Sequence, residues 1–321
     1  MTDFDKIREE IATDIDNLNN YLKKSTTTDI DLINTLSSHM IDSGGKRIRP
    51  IILILLSRSI KNNDIDVLLA AAIIELIHAA TLLHDDVVDQ SDLRHNIKTA
   101  NKLWGNDSAV LVGDFLYSRA FELIVKINNE NIYKELAETT NMISQGEIKQ
   151  LMVKDKLLDN EDDYFEIIYL KTAKLFEASA AVASHLKDES NVNLFRDYGK
   201  NFGIAYQLRN DYLDYFGDQD KTGKNLAEDL IEGKSTLPLI HSLGCSNNTD
   251  KSEISRIFNG KIKDDAYILL EILKKNKSDE YTENKITEYS NRAISALRRM
   301  NSSKETKLLE DLTKYCSFRF K

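Results

Sequence analysis

The chain has 321 residues, enough for one large domain or two of ordinary size. A composition of 41% hydrophobic and 30% charged residues indicates a globular protein, and a net charge of −9 argues against a general nucleic-acid-binding role. The 2 cysteines, Cys245 and Cys316, form neither a disulfide framework nor a metal quartet, which fits a reducing cytoplasm.

Helix breakers are rare, with only 2 Pro and 12 Gly, so the sequence favours long helices. Residues 4–23 carry an apolar residue at every third or fourth position, which predicts an amphipathic helix. Asp29 is placed to cap a second helix that runs to about Ile41. The N-terminal residues lack the basic and apolar regions of a signal peptide.

A basic turn, SGGKRIRP, occupies residues 43–50. Pro50 suits the first turn of a helix over residues 51–60, so Lys46, Arg47 and Arg49 lie beside a helix N-terminus. Glycines, helix-end N–H groups and basic side chains together suit a phosphate. The alternative interpretation is an ordinary basic turn with no ligand. The turn is not a Walker loop, because Arg47 follows the lysine where Ser or Thr is required.

Residues 66–89 predict a helix whose end carries LHDDVVD. His78, Asp85 and Asp89 share one face, and carboxylates one turn apart can hold Mg²⁺ together with substrate phosphates. An isolated motif of this kind is more often a solvated acidic helix end, and a histidine on an apolar helix is more often a core residue. The apolar part is too interrupted for a membrane span, so we expect a core helix.

Helices are predicted over residues 108–127, 132–152 and 163–186, and the last of these contains Lys171 among small apolar residues. An exposed surface lysine is the alternative interpretation of Lys171. Residues 192–216 carry a second acidic stretch, in which Gln207, Asp211 and Asp214 share a helical face beside Asn210. Lysine-bearing loops follow, and residues 247–321 contain no recognisable chemistry.

Two acidic helical faces could meet across a bundle, as in known metal sites of helical bundles. Carboxylates alone would repel a diphosphate, whereas carboxylates bridged by Mg²⁺ would hold one. Apolar walls then call for a substrate with a charged head and a hydrocarbon tail. The implied chemistry is metal-assisted loss of diphosphate.

These motifs resemble those of the trans-polyprenyl diphosphate synthases, particularly bacterial octaprenyl diphosphate synthases, over about residues 40–245. The matching blocks are GGKRIRP, HDDVVDQSDLR, Lys171-Thr172, QLRNDYLD and the two later Gly-Lys pairs. The resemblance implies an all-α prenyl synthase bundle around a deep central cavity, forming a single domain over residues 1–321. It also implies a soluble, cytoplasmic homodimer that adds isopentenyl diphosphate units to an allylic diphosphate such as farnesyl diphosphate. The product would enter membranes as a quinone side chain, as in ubiquinone biosynthesis.

The resemblance implies the following site. Two or three Mg²⁺ ions would be held by Asp85, Asp86, Asp89, Asn210, Asp211 and Asp214. Isopentenyl diphosphate would contact Lys46, Arg49, His78 and His95. The allylic diphosphate would contact Arg94, Lys171, Thr172, Gln207, Lys224 and Lys234. The residues expected to be catalytic are Asp85, Asp89, Lys171 and Asp211.

Two residues depart from the family pattern. His95 stands where an arginine is usual, so we expect weaker or pH-dependent binding of isopentenyl diphosphate. Asn210 replaces the first acid of the second motif and loses its charge. The third metal is therefore expected to bind weakly or to shift toward Asp211 or Asp214.

Product length is expected to depend on residues one turn before Asp85, namely Ala80 and Thr81. Short-chain family members place aromatic residues there, so these small side chains predict an open tunnel and a long product. Phe121 is the predicted floor. Three alternatives stay open: a shorter-chain synthase, a class I terpene cyclase, and a non-catalytic subunit of a heteromeric synthase. The basic residues expected to bind isopentenyl diphosphate argue against a cyclase, and Asp85 with Asp89 argues against a non-catalytic subunit.

Overall fold

A computed structural model describes residues 3–43, 45–94, 97–218, 227–262 and 265–318. The predicted all-α class is confirmed: the described residues are helical apart from connecting segments and one two-stranded hairpin. The helices of the N-terminal part are α1 Asp3–Glu10, α2 Ala12–Thr26, α3 Asp31–Asp42, α4 Ile48–Ser59, α5 Ile65–Val88, α6 Ala100–Trp104, α7 Asn106–Ile127 and α8 Glu130–Val153. The strands β1 Leu93–Arg94 and β2 Ile97–Lys98 lie between α5 and α6 and pair in antiparallel register.

The remaining elements begin with α9 Glu161–Ile168, which leads into a π-turn, Tyr169–Ala173. The helices that follow are α10 Lys174–His185, α11 Val192–Phe216, α12 Glu228–Ile231, α13 Leu237–Cys245, α14 Asn248–Gly260, α15 Ala266–Lys275, α16 Ser278–Arg298 and α17 Lys304–Phe318. The chain divides into two compact units, residues 1–140 with 178–196 and 300–311, and residues 141–177 with 197–299 and 312–321. The single domain over 1–321 stays a prediction.

The core of the first unit is built around α5, which packs most extensively against α7 and also against α4 and α2. Nearly every residue from Val67 to Ile77 is buried, because this stretch is apolar on all sides apart from Glu75. Gly113 on α7 lets the two helices approach closely, since a Cβ there would lie 2.3 Å from His84 Nε2. This packing fixes the direction in which the acidic end of α5 leaves the core.

Among its described residues, the second unit contains two apolar clusters. One is centred on Tyr215, Leu239 and Phe258. The other includes Tyr164, Leu208 and residues of α13. The second cluster matters for the site, because it buries one side of α9 and α11 and leaves their polar side chains on the other.

Four sequence predictions differ from the structure. The helix over residues 4–23 is two helices, which meet at Ile11. Asp29 does not cap α3: its cap position is Ile30, and Thr28 and Asn34 close the turn through two bonds of 2.8 Å. The segment that follows Asp89 contains the β1–β2 hairpin, whereas the sequence analysis predicts no strand there. The helix over 163–186 is interrupted by the π-turn.

Within the described residues, α5 is the helix long and apolar enough to cross a membrane. Of its most apolar stretch, 56% is buried inside the protein. A core helix satisfies the same criteria of length and composition, and the sequence predicts a core helix here.

Candidate active site

The acidic end of α5 separates its carboxylates into two environments. Asp89 N–H donates to Asp85 O over 2.8 Å, so these residues lie one helical turn apart, and both side chains are half-buried. Asp86 is only 1% exposed. The pair available to a ligand is therefore Asp85 and Asp89.

Asp86 is held by Arg94 of the hairpin. Arg94 Nη2 donates to Asp86 Oδ1 over 2.8 Å and Nε donates to the same oxygen over 3.1 Å. Burial raises the pKa of the Asp86 carboxyl above its usual value, although the Arg94 guanidinium acts in the opposite direction. Sequence reasoning gave Asp86 a supporting metal role and Arg94 a diphosphate role. The structure adds that they fasten the hairpin to α5.

The donor set at this helix end suits Mg²⁺ that shares its ligands with a substrate. In the described part of the chain, no three His, Cys, Asp or Glu side chains gather closely enough to hold a metal alone. Mg²⁺ is commonly bound by one or two carboxylates, with phosphate oxygens and waters completing its shell. Asp85 and Asp89 meet that requirement.

The basic side chains of residues 43–50 also lie in different environments. Arg49 Nη1 lies 3.2 Å from His78 Nε2, so two residues of the predicted isopentenyl diphosphate set come together. Lys46 Nζ lies 5.9 Å from the ring centroid of Phe4. Arg47, read from the sequence as a phosphate-facing cation, instead pairs with Glu75 at 2.5 Å. Both side chains of that pair are about nine-tenths buried, so Arg47 links the turn to α5.

The π-turn presents Lys171 and Thr172. Lys174 N–H donates to Tyr169 O, a bond one residue longer than in an α-helix. Glycines allow two neighbouring helices to contact this turn: a Cβ on Gly146 would lie 2.8 Å from Lys171 N, and one on Gly203 would lie 2.6 Å from Ala173 Cα. Lys171 Nζ pairs with Glu147 at 2.6 Å, which corrects the alternative of an exposed surface lysine.

A chain of hydrogen bonds links the π-turn to the second acidic stretch. Thr172 Oγ1 donates to Gln207 Oε1 over 3.1 Å, and Gln207 Nε2 donates to Asp211 Oδ1 over 2.7 Å. The other Asp211 oxygen accepts from Tyr164 Oη at 2.5 Å. Burial raises the pKa of the Tyr164 hydroxyl well above its usual value, and the Asp211 charge adds to this, so Tyr164 stays protonated as a donor.

These side chains line one cavity of about 120 Å³ in the second unit. Its polar lining includes Gln150, Lys154, Tyr164, Lys171, Thr172, Gln207, Asp211, Asp229, Lys234, Ser235 and Thr236. Leu158, Ile167 and Ile168 supply an apolar side. The lining carries three lysines and two aspartates beside an apolar wall, so it suits an anionic group that is attached to a hydrocarbon and bridged to carboxylates by a cation.

The other acids of the second stretch differ from Asp211. Asp214 is 2% exposed and accepts the backbone N–H groups of Glu228 and Asp229 at 3.2 and 3.1 Å, so it holds the start of α12. Asn210 is half-buried on the same helix. The metal roles of Asn210, Asp211 and Asp214 stay predictions.

The structure gives the positions of several other predicted residues but does not test their roles. Lys234 lines the cavity and pairs with Glu232 at 2.6 Å. His95 and Lys224 lie outside the described residues. Ala80 is fully buried, Thr81 is half-buried, and Phe121 on α7 is 43% exposed. Their role in product length stays a prediction.

Sequence reasoning missed Tyr164, Lys154 and Asp229 as cavity residues. Tyr164 lies seven residues before Lys171, two turns on an uninterrupted helix, so this spacing was an available signal. Lys154 follows the end of α8, and its position depends on contacts with a segment about 80 residues later, which no local pattern indicates.

Comparisons with known proteins identify the family that this chain resembles in sequence and in fold. The polyprenyl synthetase family matches residues 30–276. The octaprenyl diphosphate synthase of Escherichia coli strain K12 is 39% identical, over 92% of this chain and 92% of its own. A polyprenyl synthase from Caulobacter crescentus, complexed with calcium and isoprenyl diphosphate, superimposes with a TM-score of 0.94 at 34% identity over 99% and 98% of the two chains. A decaprenyl diphosphate synthase from Rhodobacter capsulatus gives 0.93 at 31% identity over 99% of both chains.

The helical fold and its acidic and basic helix ends define an isoprenoid synthase, a prenyltransferase with an all-α architecture. More narrowly, this chain belongs to the polyprenyl synthetase family.

Proposed function

We propose that the chain is a long-chain trans-polyprenyl diphosphate synthase, with an octaprenyl product as the best assignment. It adds isopentenyl diphosphate units in succession to an allylic diphosphate such as farnesyl diphosphate. The sequence identity to the octaprenyl diphosphate synthase of Escherichia coli supports this product length. The similarity to a decaprenyl diphosphate synthase makes a longer, decaprenyl product the alternative. Small side chains at Ala80 and Thr81 also favour a long product.

The observation that carries the proposal is the cavity of the second unit. Lys171, Thr172 and Gln207 lie there on a turn and a helix whose contacts hold them in place. Ammonium, hydroxyl and amide donors match the oxygens of a diphosphate. Lys234 adds another cation, and Ile167 and Ile168 provide apolar surface for the first carbons of the prenyl group.

The reaction begins when the C–O bond of the allylic diphosphate breaks and the diphosphate leaves with the bonding electrons. The double bond of isopentenyl diphosphate then supplies the electron pair of a new C–C bond to the allylic carbon, and the departed diphosphate accepts a proton from the resulting cation, which gives the lengthened allylic diphosphate. The cavity lysines stabilise the negative charge on the departing group. Arg49 with His78, and Lys46 three residues before Arg49, hold the diphosphate of the second substrate.

Members of this family generally use Mg²⁺. Asp85 and Asp89 would hold it, and Asp211 is the acid of the second motif that would contribute. When bound, Mg²⁺ would offset the negative charge of the diphosphate as it leaves. Tyr164 and Gln207 orient the Asp211 carboxylate for this role through one bond to each oxygen.

We assign the active form as a homodimer. Helix α7 exposes Leu111, Phe121 and Val125 at 67%, 43% and 69%, an apolar face of the kind that subunit interfaces cover. The enzyme itself would be a soluble cytoplasmic protein. Its product, with a hydrocarbon tail, would enter the membrane as the precursor of a quinone side chain.

The test is to incubate the purified protein with Mg²⁺, farnesyl diphosphate and labelled isopentenyl diphosphate, and to size the dephosphorylated products. An octaprenyl product is expected. A shorter main product would identify a short-chain synthase. A hydrocarbon formed from the allylic substrate alone would identify a cyclase, and absence of turnover would indicate a non-catalytic subunit. Light scattering on the same sample tests the dimer.

A further inference from the structure

The segment after α8 is joined to the loop before α13 by one backbone hydrogen bond and by two bonds of the Ser235 hydroxyl. Asp155 N–H donates to Gly233 O over 2.9 Å. Leu158 N–H donates to Ser235 Oγ over 3.1 Å, and the Ser235 hydroxyl donates to Lys156 O over 3.1 Å. We call the joined segments, residues 154–158 and 232–236, the paired rim.

The paired rim depends on the backbone conformations of Gly233 and Asp155. Gly233 has φ +74°, and a Cβ there would lie 1.9 Å from Asp155 Oδ1. Asp155 has φ +62°, and its carboxylate accepts from Lys261 Nζ at 2.7 Å. A side chain at position 233 would therefore both strain the backbone and displace Asp155.

The paired rim brings two lysines to one cavity. Lys154 from the first segment and Lys234 from the second both line it, together with Lys171 of the π-turn. Lys171 and Lys234 are predicted diphosphate ligands, whereas the sequence motifs give Lys154 no role. Its neighbour Lys156 is exposed and is not among the cavity residues.

We propose that Lys154 binds the diphosphate of the allylic substrate in this cavity, as a third lysine beside Lys171 and Lys234. This inference rests on the proposed function. An ammonium group on a flexible stem can reach phosphate oxygens without a fixed angle of approach, so it suits a position on a rim. Lys154 is expected to contribute to binding rather than to orient the reacting carbon.

The test compares Lys154→Gln and Lys154→Arg with the matched control Lys156→Gln. For Lys154→Gln the KM for farnesyl diphosphate should rise about tenfold, as expected for loss of one charge-assisted hydrogen bond. The KM for isopentenyl diphosphate should stay unchanged, because that substrate is assigned to Arg49 and His78. Lys154→Arg should restore most of the binding, and Lys156→Gln should behave as wild type.

A second measurement separates this inference from the proposed function. Calorimetry with inorganic diphosphate and Mg²⁺ reports binding even in a protein that does not turn over. Weaker binding in Lys154→Gln alone supports the inference, even if wild type makes no prenyl product. Equal binding in wild type and Lys154→Gln, or an equal loss in Lys156→Gln, overturns it. Thermal melting of each variant checks that the fold is retained.

Discussion

Arg94 on the hairpin donates from Nε and Nη2 to the carboxylate of Asp86, the middle acid of the motif at the end of α5. This contact gives the three acids of the motif different functions. Asp85 and Asp89 remain half-buried and available to a ligand, whereas Asp86 is almost fully buried. Loss of Asp86 should therefore affect folding, and loss of its neighbours should affect catalysis.

We predict that Asp86→Asn lowers the free energy of unfolding by about 2 kcal/mol. Breaking a buried pair costs about 3–5 kcal/mol, and we reduce this because 32% of the Arg94 side chain is exposed to solvent. Asp85→Asn and Asp89→Asn should change stability less than Asp86→Asn, because both side chains are half-buried and solvent screens their attraction to Arg94, while both variants lose activity. Urea denaturation of the three variants tests this. Equal stability of all three would contradict the assignment.

The close contact of Gly203 with the π-turn leads to a second prediction. Gly203→Ala places a methyl group 2.6 Å from Ala173 Cα, so the turn must shift. We expect a loss of about 1–3 kcal/mol of stability, typical of overpacking, and a raised KM for the allylic substrate. The control is Gly244→Ala on α13, where a Cβ meets nothing within 4 Å. That variant should gain about 0.5 kcal/mol from better helix propensity. A stable, fully active Gly203→Ala would show that the π-turn tolerates displacement.

Product length can be tested at Ala80. Ala80→Phe should shorten the main product if this position lines the tunnel, at a cost of about 1–3 kcal/mol because the site is fully buried. Ala137→Phe, at an exposed position of α8, is the matched control for added bulk and should leave the product unchanged. Chromatography of the dephosphorylated products provides the measurement. An unaltered product distribution in Ala80→Phe would remove Ala80 from the tunnel.

The second acidic stretch gives a prediction about metal dependence. Asn210→Asp adds a carboxylate beside Asp211, so the Mg²⁺ concentration for half-maximal activity should fall, by about threefold to tenfold for one added charge–charge contact near the surface. Titration of initial rate with Mg²⁺ measures this. Asn201→Asp, about two and a half turns earlier on α11, adds the same charge as a control. No change at position 210 would mean that Asn210 does not limit metal binding.

The long helices could be predicted because their apolar periodicity extends over many turns. Helices α7, α8 and α11 begin and end within two residues of the predicted positions. The spacing of Gln207 and Asp211 also indicated correctly that they lie together, and they are hydrogen-bonded. The connection of these residues to a diphosphate required the resemblance to the family, whose motifs occur in the same order along this chain.

Other features depend on contacts that no local pattern contains. Arg47 looked like its neighbours in a basic turn, but its partner Glu75 is 28 residues away in the core. Asp86 follows Asp85 directly, and consecutive helical residues point about 100° apart, which turns one inward and leaves the other accessible. The position of Lys154 depends on the next residue, Asp155, which donates its backbone N–H to Gly233 in a distant loop.

The π-turn at residues 169–173 also has a consequence for helical phase. It contains one residue more than a regular turn, and each residue of an α-helix advances the face by about 100°. Removing one residue from this turn would let α9 and α10 join as a regular helix, but every side chain on one flank would rotate away from its present partners. Tyr164 on α9 now reaches Asp211, and Thr172 within the turn reaches Gln207. Chain length between these two residues is therefore under tighter constraint than the identity of most residues between them.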